Sequence, residues 1–372
     1  MQAIGTLLIV SGLGLFAATP TCAAQSYKLT DLGALGGTQS YADAINGSGQ
    51  VVGTASLPGD APYHAFRTAP QGRIHPAHDD LGTLIGTTSV ATGINDFGYT
   101  VGQSTDLSDP HNSRGFLVPP HRAIDPATDD LGTLGGGMAT PNAISDLGQI
   151  VGASTTGGVI SYIHAFRTAP YKPINPARDD LGTLGGTEVF AFGVNLFGQV
   201  VGSSLLSDEA IYHGYRTAPN RPINPAHDDI GTLGGSNSSA SHINVWGQVV
   251  GEADTLPSGN QHAFRTAPNQ PINPATDDLG TLGGSSSSAA SINTFGQVVG
   301  TAQIAGDTAY HAFLYDRGVM LDLNNLIPAG SGCELTAAVD INDSGEIAAN
   351  ATCSGQARAV RLTPIHHRFG WY

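Results

Sequence analysis

Apolar residues in this chain come in short runs, each closed by a cluster of Gly, Asn, Ser or Pro. None beyond residue 24 is long enough to cross a membrane as a helix. The runs fall into a recurring group of four. In the first group, Tyr41 to Asn46, Gln50 to Ala55, His64 to Thr68 and Asp79 to Leu84 read as strands a, b, c and d. Between a and b, Asn46-Gly47-Ser48-Gly49 places Asn first and Gly fourth, which suits a type I turn followed by a glycine bulge.

The group repeats seven times. Asp-Leu-Gly or a close variant recurs at Asp31, Asp80, Asp130, Asp180, Asp229, Asp278 and Asp322, at intervals of 49, 50, 50, 49, 49 and 44 residues. Ile-Asn or a variant recurs at Ile45, Ile94, Ile144, Val194, Ile243, Ile292 and Ile341. A His-Ala-Phe marker begins at His64, Arg114, His164, His213, His262, His311 and Arg358. Four short antiparallel strands at a period near 50 match a propeller blade better than a solenoid coil, which is usually shorter. The ends agree with a ring. The last unit has strands a, b and c at 337–342, 346–352 and 357–363 but no strand d, and Tyr27 to Leu32 is a strand d without its unit. The expected fold is therefore an all-β, seven-bladed β-propeller of four-stranded repeats of about 49 residues, closed by the N-terminal strand. An open solenoid would leave both edges exposed.

These motifs resemble the HAF repeat family of extracellular repeat proteins. The resemblance rests on Asp-Leu-Gly-Thr-Leu-Gly-Gly (180–186), Ile-Asn-x-x-Gly-Gln-Val-Val-Gly (243–251) and His-Ala-Phe (262–264), and covers about residues 27–364. It implies export and a repeat fold. The chain departs from the pattern by a longer c–d segment in five units, such as Pro271-Ile272-Asn273-Pro274-Ala275, where unit six keeps a short turn at Arg317-Gly318.

Composition narrows the function. The chain has 50 Gly, 22 Pro and only 12% charged residues, which suits short strands and many turns. Its formal charge of −15 and the lack of a basic stripe argue against a nucleic-acid partner. Residues 1–24 read as a signal peptide, with an apolar stretch from Ile4 to Phe16 and Cys22-Ala23-Ala24 before a cut near Gln25. The repeat domain is then 25–364 and the tail 365–372, and the protein is expected to be secreted or periplasmic, a monomer without a membrane span. Cleavage leaves Cys333 and Cys353, read as one disulfide, with two free buried thiols as the alternative.

The candidate chemistry is sparse. Asp pairs at 79–80, 129–130, 179–180, 228–229 and 277–278 could offer oxygens to Ca²⁺. They are read instead as turn residues, with one Asp near the Arg of the neighbouring strand c. The repeated His of His-Ala-Phe sits once per unit and cannot converge on one metal, so neither a metal nor a cofactor is expected. No phosphate loop, Gly-x-Ser-x-Gly, His-Glu-x-x-His or Cys-x-x-Cys occurs. Variation concentrates in the b–c loops, so function is expected on that face. Asp109, His111 and Arg114 of the second unit are the candidate ligand-binding residues, with an exposed polar loop as the alternative. The a–b turn tips carry Phe97, Leu147, Phe197, Trp246 and Phe295. They are expected to pack on the c–d segment of the preceding unit, against Ile74, Ile124, Ile174, Ile223 and Ile272; the other reading is an exposed ring for a partner. The favoured function is a non-catalytic extracellular module binding a glycan, protein or peptide. The alternatives are an enzyme, a lyase or hydrolase with one site at the channel mouth, and a structural envelope protein.

Overall fold

The structure, a computed structural model, describes residues 26–106, 109–158, 161–256 and 258–365, with the backbone alone for 109–112. The signal-peptide reading of 1–24 and the tail beyond Ile365 lie outside these residues. No α-helix occurs among the described residues; the chain forms seven antiparallel sheets of three or four strands. Their inner strands are Ser40–Ile45, Thr88–Ile94, Gly135–Ile144, Val189–Val194, Gly234–Ile243, Gly283–Ile292 and Cys333–Ile341. Each is followed through the a–b turn by a middle strand and then by an outer one. The Val-Gly of the middle strand has a steric cause: a Cβ on Gly53 would collide with the Tyr41 carbonyl of the inner strand.

Seven cores lie between consecutive sheets. Val52 and Ala65 of the first sheet pack with Ala91 and Phe116 of the second, and so on along the chain. Ala348 and Ala359 of the seventh join Ala42, Val51 and Phe66 of the first, so the circuit closes on itself. The aromatic residue of His-Ala-Phe anchors these cores: Phe66, Phe116, Phe166, Tyr215, Phe264 and Phe313 are each 0% exposed. Burying one such ring contributes about 1.5–3 kcal/mol.

The N-terminal strand Ser26–Asp31 completes the seventh sheet. It pairs antiparallel with Gln356–Ile365, from Ser26 opposite Ile365 to Asp31 opposite Val360, and buries Tyr27. Cys333 and Cys353 form the disulfide, with Cα atoms 4.0 Å apart. That is shorter than the usual range of about 4.4–6.8 Å. The cause is register: the cysteines face each other directly, and the Ser354 N–H bonds the Gly332 carbonyl beyond them. They are thus a non-hydrogen-bonded pair, the closest cross-strand position.

Two expectations are corrected and one is refined. First, the fourth strand is complete only in the sixth and seventh sheets. In the other five it shrinks to one bridge, such as Phe66 with Asp80. The long c–d segment reaches the Asp through a turn, with the His78 and Asp79 N–H groups on the His75 carbonyl, and beyond it Asp80 caps the Gly82 N–H at 2.7 Å and ends the ladder. Second, the Asp pair divides its contacts. The first Asp lies near the strand-c Arg as expected, Asp79 beside Arg67, Asp179 beside Arg167 and Asp228 beside Arg216, while in four of the five pairs the second Asp faces His. His64–Asp80, His164–Asp180, His213–Asp229, His262–Asp278 and His311–Asp322 lie at 2.7–2.9 Å. Arg114–Asp130 and Arg358–Asp31 take the same place in the remaining sheets. Burial raises the carboxyls of Asp80, Asp180 and Asp229, but the His hydrogen bond and a glycine N–H outweigh it and hold them below the ordinary range. The first Asp is buried and caps its own loop, as Asp79 does by accepting the His75 N–H at 2.7 Å. The strand-c Arg also reaches into the next unit, where Arg67 donates to the Gly98, Pro119 and Arg122 carbonyls.

Third, the a–b tips are not buried. Phe97, Leu147, Phe197, Trp246 and Phe295 are 54–75% exposed. The c–d isoleucines go elsewhere: Ile223 packs with Leu181 and Tyr215 between sheets, tied by its N–H to the Leu181 carbonyl. Trp246 donates its indole N–H to Thr294 of the next unit at 2.8 Å. The inter-sheet core outcompetes the tip for the isoleucine.

Candidate functional site: an acidic axial cavity

The seven inner strands and the turns that follow them surround a common cavity of about 390 Å³. Its wall repeats in levels. Outermost are the residues after the Ile-Asn marker, including Asp96, Asp146 and Asp343; below lie the Asn residues, then an aliphatic collar of Ile45, Ile94, Ile144, Val194, Ile243, Ile292 and Ile341.

The Asn level explains its own residue type. The Asn46 Oδ1 accepts the Ser48 and Gln50 N–H groups, which fixes the turn, and its Nδ2 donates to the Asn95 carbonyl of the next unit. The link repeats from Asn95 to Ser145, Asn195 to Asn244, Asn244 to Asn293, Asn293 to Asn342, and Asn342 back to Asn46. Ser145 keeps only the turn bond, to the Gln149 N–H at 3.2 Å. A side chain with both acceptor and donor is needed, and Asn supplies both.

Below the collar, each inner strand carries a bulge. Its extra residue is Asp43, Thr92, Asn142, Phe192, Ser241, Ala290 or Val339. All seven line a second chamber of about 160 Å³, together with His242, Ser291 and Asp340 at the following position. Bulges re-aim side chains, and here they turn two residues per strand to the axis. This level departs most from the repeat. Asp340 accepts Ser291 Oγ–H at 2.6 Å, the Ile341 N–H and the Ile45 N–H. His242 Nδ1 lies 3.1 Å from Ser291 Oγ and accepts the Ile292 N–H at 3.3 Å. Burial lowers the His242 pKa despite the Asp340 charge, so the ring stays neutral. Asp43 has no hydrogen-bond partner among the described residues, and burial raises it to about 7.

Ser, His and Asp meet here, but not as a nucleophilic relay. Ser291 gives its proton to Asp340, His242 Nδ1 faces a backbone N–H, and Ser291 is 2% exposed. A relay needs the imidazole between hydroxyl and carboxylate. Among the sequence candidates, Arg114 belongs to the ion pair with Asp130 at 2.6 Å, away from the axis. Asp109 and His111 lie on the outer strand Asp109–Val118, and their side chains are outside the described residues. Asp43, His242 and Asp340 escaped the sequence reading, although each interrupts a small or apolar stretch just before the Ile-Asn marker.

No family model and no curated protein matches the chain. Among solved structures, an oxidoreductase of glucose dehydrogenase type from Thermus thermophilus is similar over 90% of this chain and 99% of its own. The identity is 13% and the TM-score 0.39, too distant to inform the fold or the function.

Proposed function

We propose that the chain is an exported β-propeller of the HAF repeat type that works by binding an extracellular protein or peptide through the face of its a–b turns. The observation that carries this reading is the exposed apolar rim. Phe97, Leu147, Phe197, Trp246 and Phe295 stand on five consecutive turns around the cavity mouth, at 64, 55, 54, 59 and 75% exposure. Apolar groups gathered on one face of a soluble protein mark interaction sites. The circuit of inter-sheet cores and the N-terminal strand in the seventh sheet support the propeller. The disulfide supports export, and no helix of the described residues is long and apolar enough to cross a membrane. This reading moves the working face from the b–c loops to the opposite side.

The test is binding of the mature protein to peptide, protein and glycan arrays, repeated with Trp246→Ser and Phe295→Ser together. Loss of the bound ligands in the variant supports the reading; ligands retained unchanged, or glycans alone recognised, would discard it. The enzyme alternative draws on the His242–Ser291–Asp340 cluster. A turnover of extracellular polymer abolished by His242→Gln would favour it.

A further inference from the structure

We propose that the axial cavity binds a linear aliphatic amine, its ammonium groups held by carboxylates at the mouth and in the inner chamber. The inference stands whether or not the apolar rim binds a partner. Asp96, Asp146 and Asp343 lie at the mouth, and Asp43 and Asp340 in the chamber. No Lys or Arg lines either space, and a carboxylate-lined cleft of one sign concentrates cations.

The two carboxylates of the inner chamber differ in a way that points to a missing partner. Asp340 accepts three protein donors. Asp43 faces the same chamber with none among the described residues, and enclosure keeps its carboxyl near neutral acidity, about 7. An unpaired carboxyl so placed is costly until a cation or donor meets it. Phe192 lines the same chamber, and an aromatic ring beside carboxylates is a favourable surrounding for an ammonium. The collar of isoleucines between the two levels suits methylenes rather than hydroxyls.

Length fits as well. Asp340 and Asp343 are three residues apart, and the strand ends at Ile341, so at about 3.3 Å per residue the carboxylate levels are at most roughly 10 Å apart. With each ammonium about 2.8 Å from its carboxylate, two nitrogens separated by roughly 4–5 Å span the gap, the reach of a chain of about three to four carbons. A free polyamine meets this requirement. A lysine side chain, with one ammonium, does not.

Isothermal titration of the mature protein with spermidine and with a blocked Gly-Lys-Gly peptide tests this, using fully acetylated spermidine and matched ionic strength as controls. Saturable binding of spermidine, weakened about tenfold in Asp43→Asn and in Asp343→Asn, is the expected result. Equally tight binding of the peptide, with the same dependence on Asp43 and Asp343, would show that one ammonium suffices and would overturn the two-ended site. Absence of saturable spermidine binding, equal binding of the acetylated control, or binding unaltered in both Asn variants would overturn it as well. Asp343 lies at the exposed mouth, so its variant keeps the test valid if Asp43→Asn folds poorly.

Discussion

At the residue scale, the same position in seven units performs the same task unless its side chain lacks the atoms for it. Ser145 keeps its turn but loses the cross-unit bond that Asn makes elsewhere. Arg114 and Arg358 replace His yet still meet an Asp. The five His–Asp pairs are partly exposed, so each contributes about 1 kcal/mol or less. Asp43 is the exception with a measurable consequence. Its folded pKa is about 7, above the ordinary value, because burial disfavours the charge. The unfolded chain ionises this group first, so between about pH 4 and 7 the folded state binds more protons and stability falls as pH rises. Asp340 and His242 share the chamber, and His242, lowered by burial, acts in the opposite sense as it titrates. Comparing Asp43→Asn with the parent protein isolates the Asp43 part. The two should be equally stable near pH 3, below the unfolded value, and the variant more stable at pH 8, by up to about 4 kcal/mol and less where cavity water screens the charge. Denaturant unfolding at both pH values checks this, and a variant no more stable at pH 8 contradicts the assignment.

At the element scale, strand order was legible because the three markers fix where strands a, b and c begin. The closing N-terminal strand was legible because one end lacked what the other carried in excess. The fourth strand was overread: Asp-Leu-Gly looks like a strand start, but the Asp caps the following glycine and ends the ladder. The axial residues were illegible for a different reason. In a strand of period two, Asp43 and Ala44 should face opposite sides; the bulge, invisible in composition, turns both toward the axis. His–Asp pairing was within reach, since His and Asp lie 16 residues apart in four units. The seventh sheet is assembled from both ends of the chain, and there the disulfide joins the start of the inner strand to the end of the middle one. Its sequence separation of 20 residues corresponds to about 3 kcal/mol of restricted unfolded-chain entropy. Replacing Cys333 and Cys353 together by Ser should lower the melting temperature by several degrees. An unchanged melting temperature would show that the paired N-terminal strand alone secures this sheet.

At the scale of the whole molecule, no sheet is an end. Each shares a core with two neighbours, and the last core joins residues about 300 positions apart, as Ala42 and Ala348 do. Ser26 and Ile365 are cross-strand partners, so a short linker can join them without moving either strand. Breaks in exposed loops cost little when the backbone around them pairs with nothing essential. The turn between Val249–Thr255 and Gln261–Arg265 is such a place, with Leu256 70% exposed. A circular permutant that starts at Gly259, ends at Ser258 and joins Ile365 to Ser26 should therefore fold. Its single cooperative transition should fall within a few degrees of the parent. In that permutant the seventh sheet becomes internal, and the outer strand of the fifth supplies the closure. Deleting residues 26–31 from the parent chain tests the converse. It strips the outer edge of Gln356–Ile365 and removes the buried Tyr27, a loss of about 3–5 kcal/mol from the ring alone. If the permutant fails to fold while the deletion is tolerated, stability lies in the individual units, and closure of the circuit is incidental.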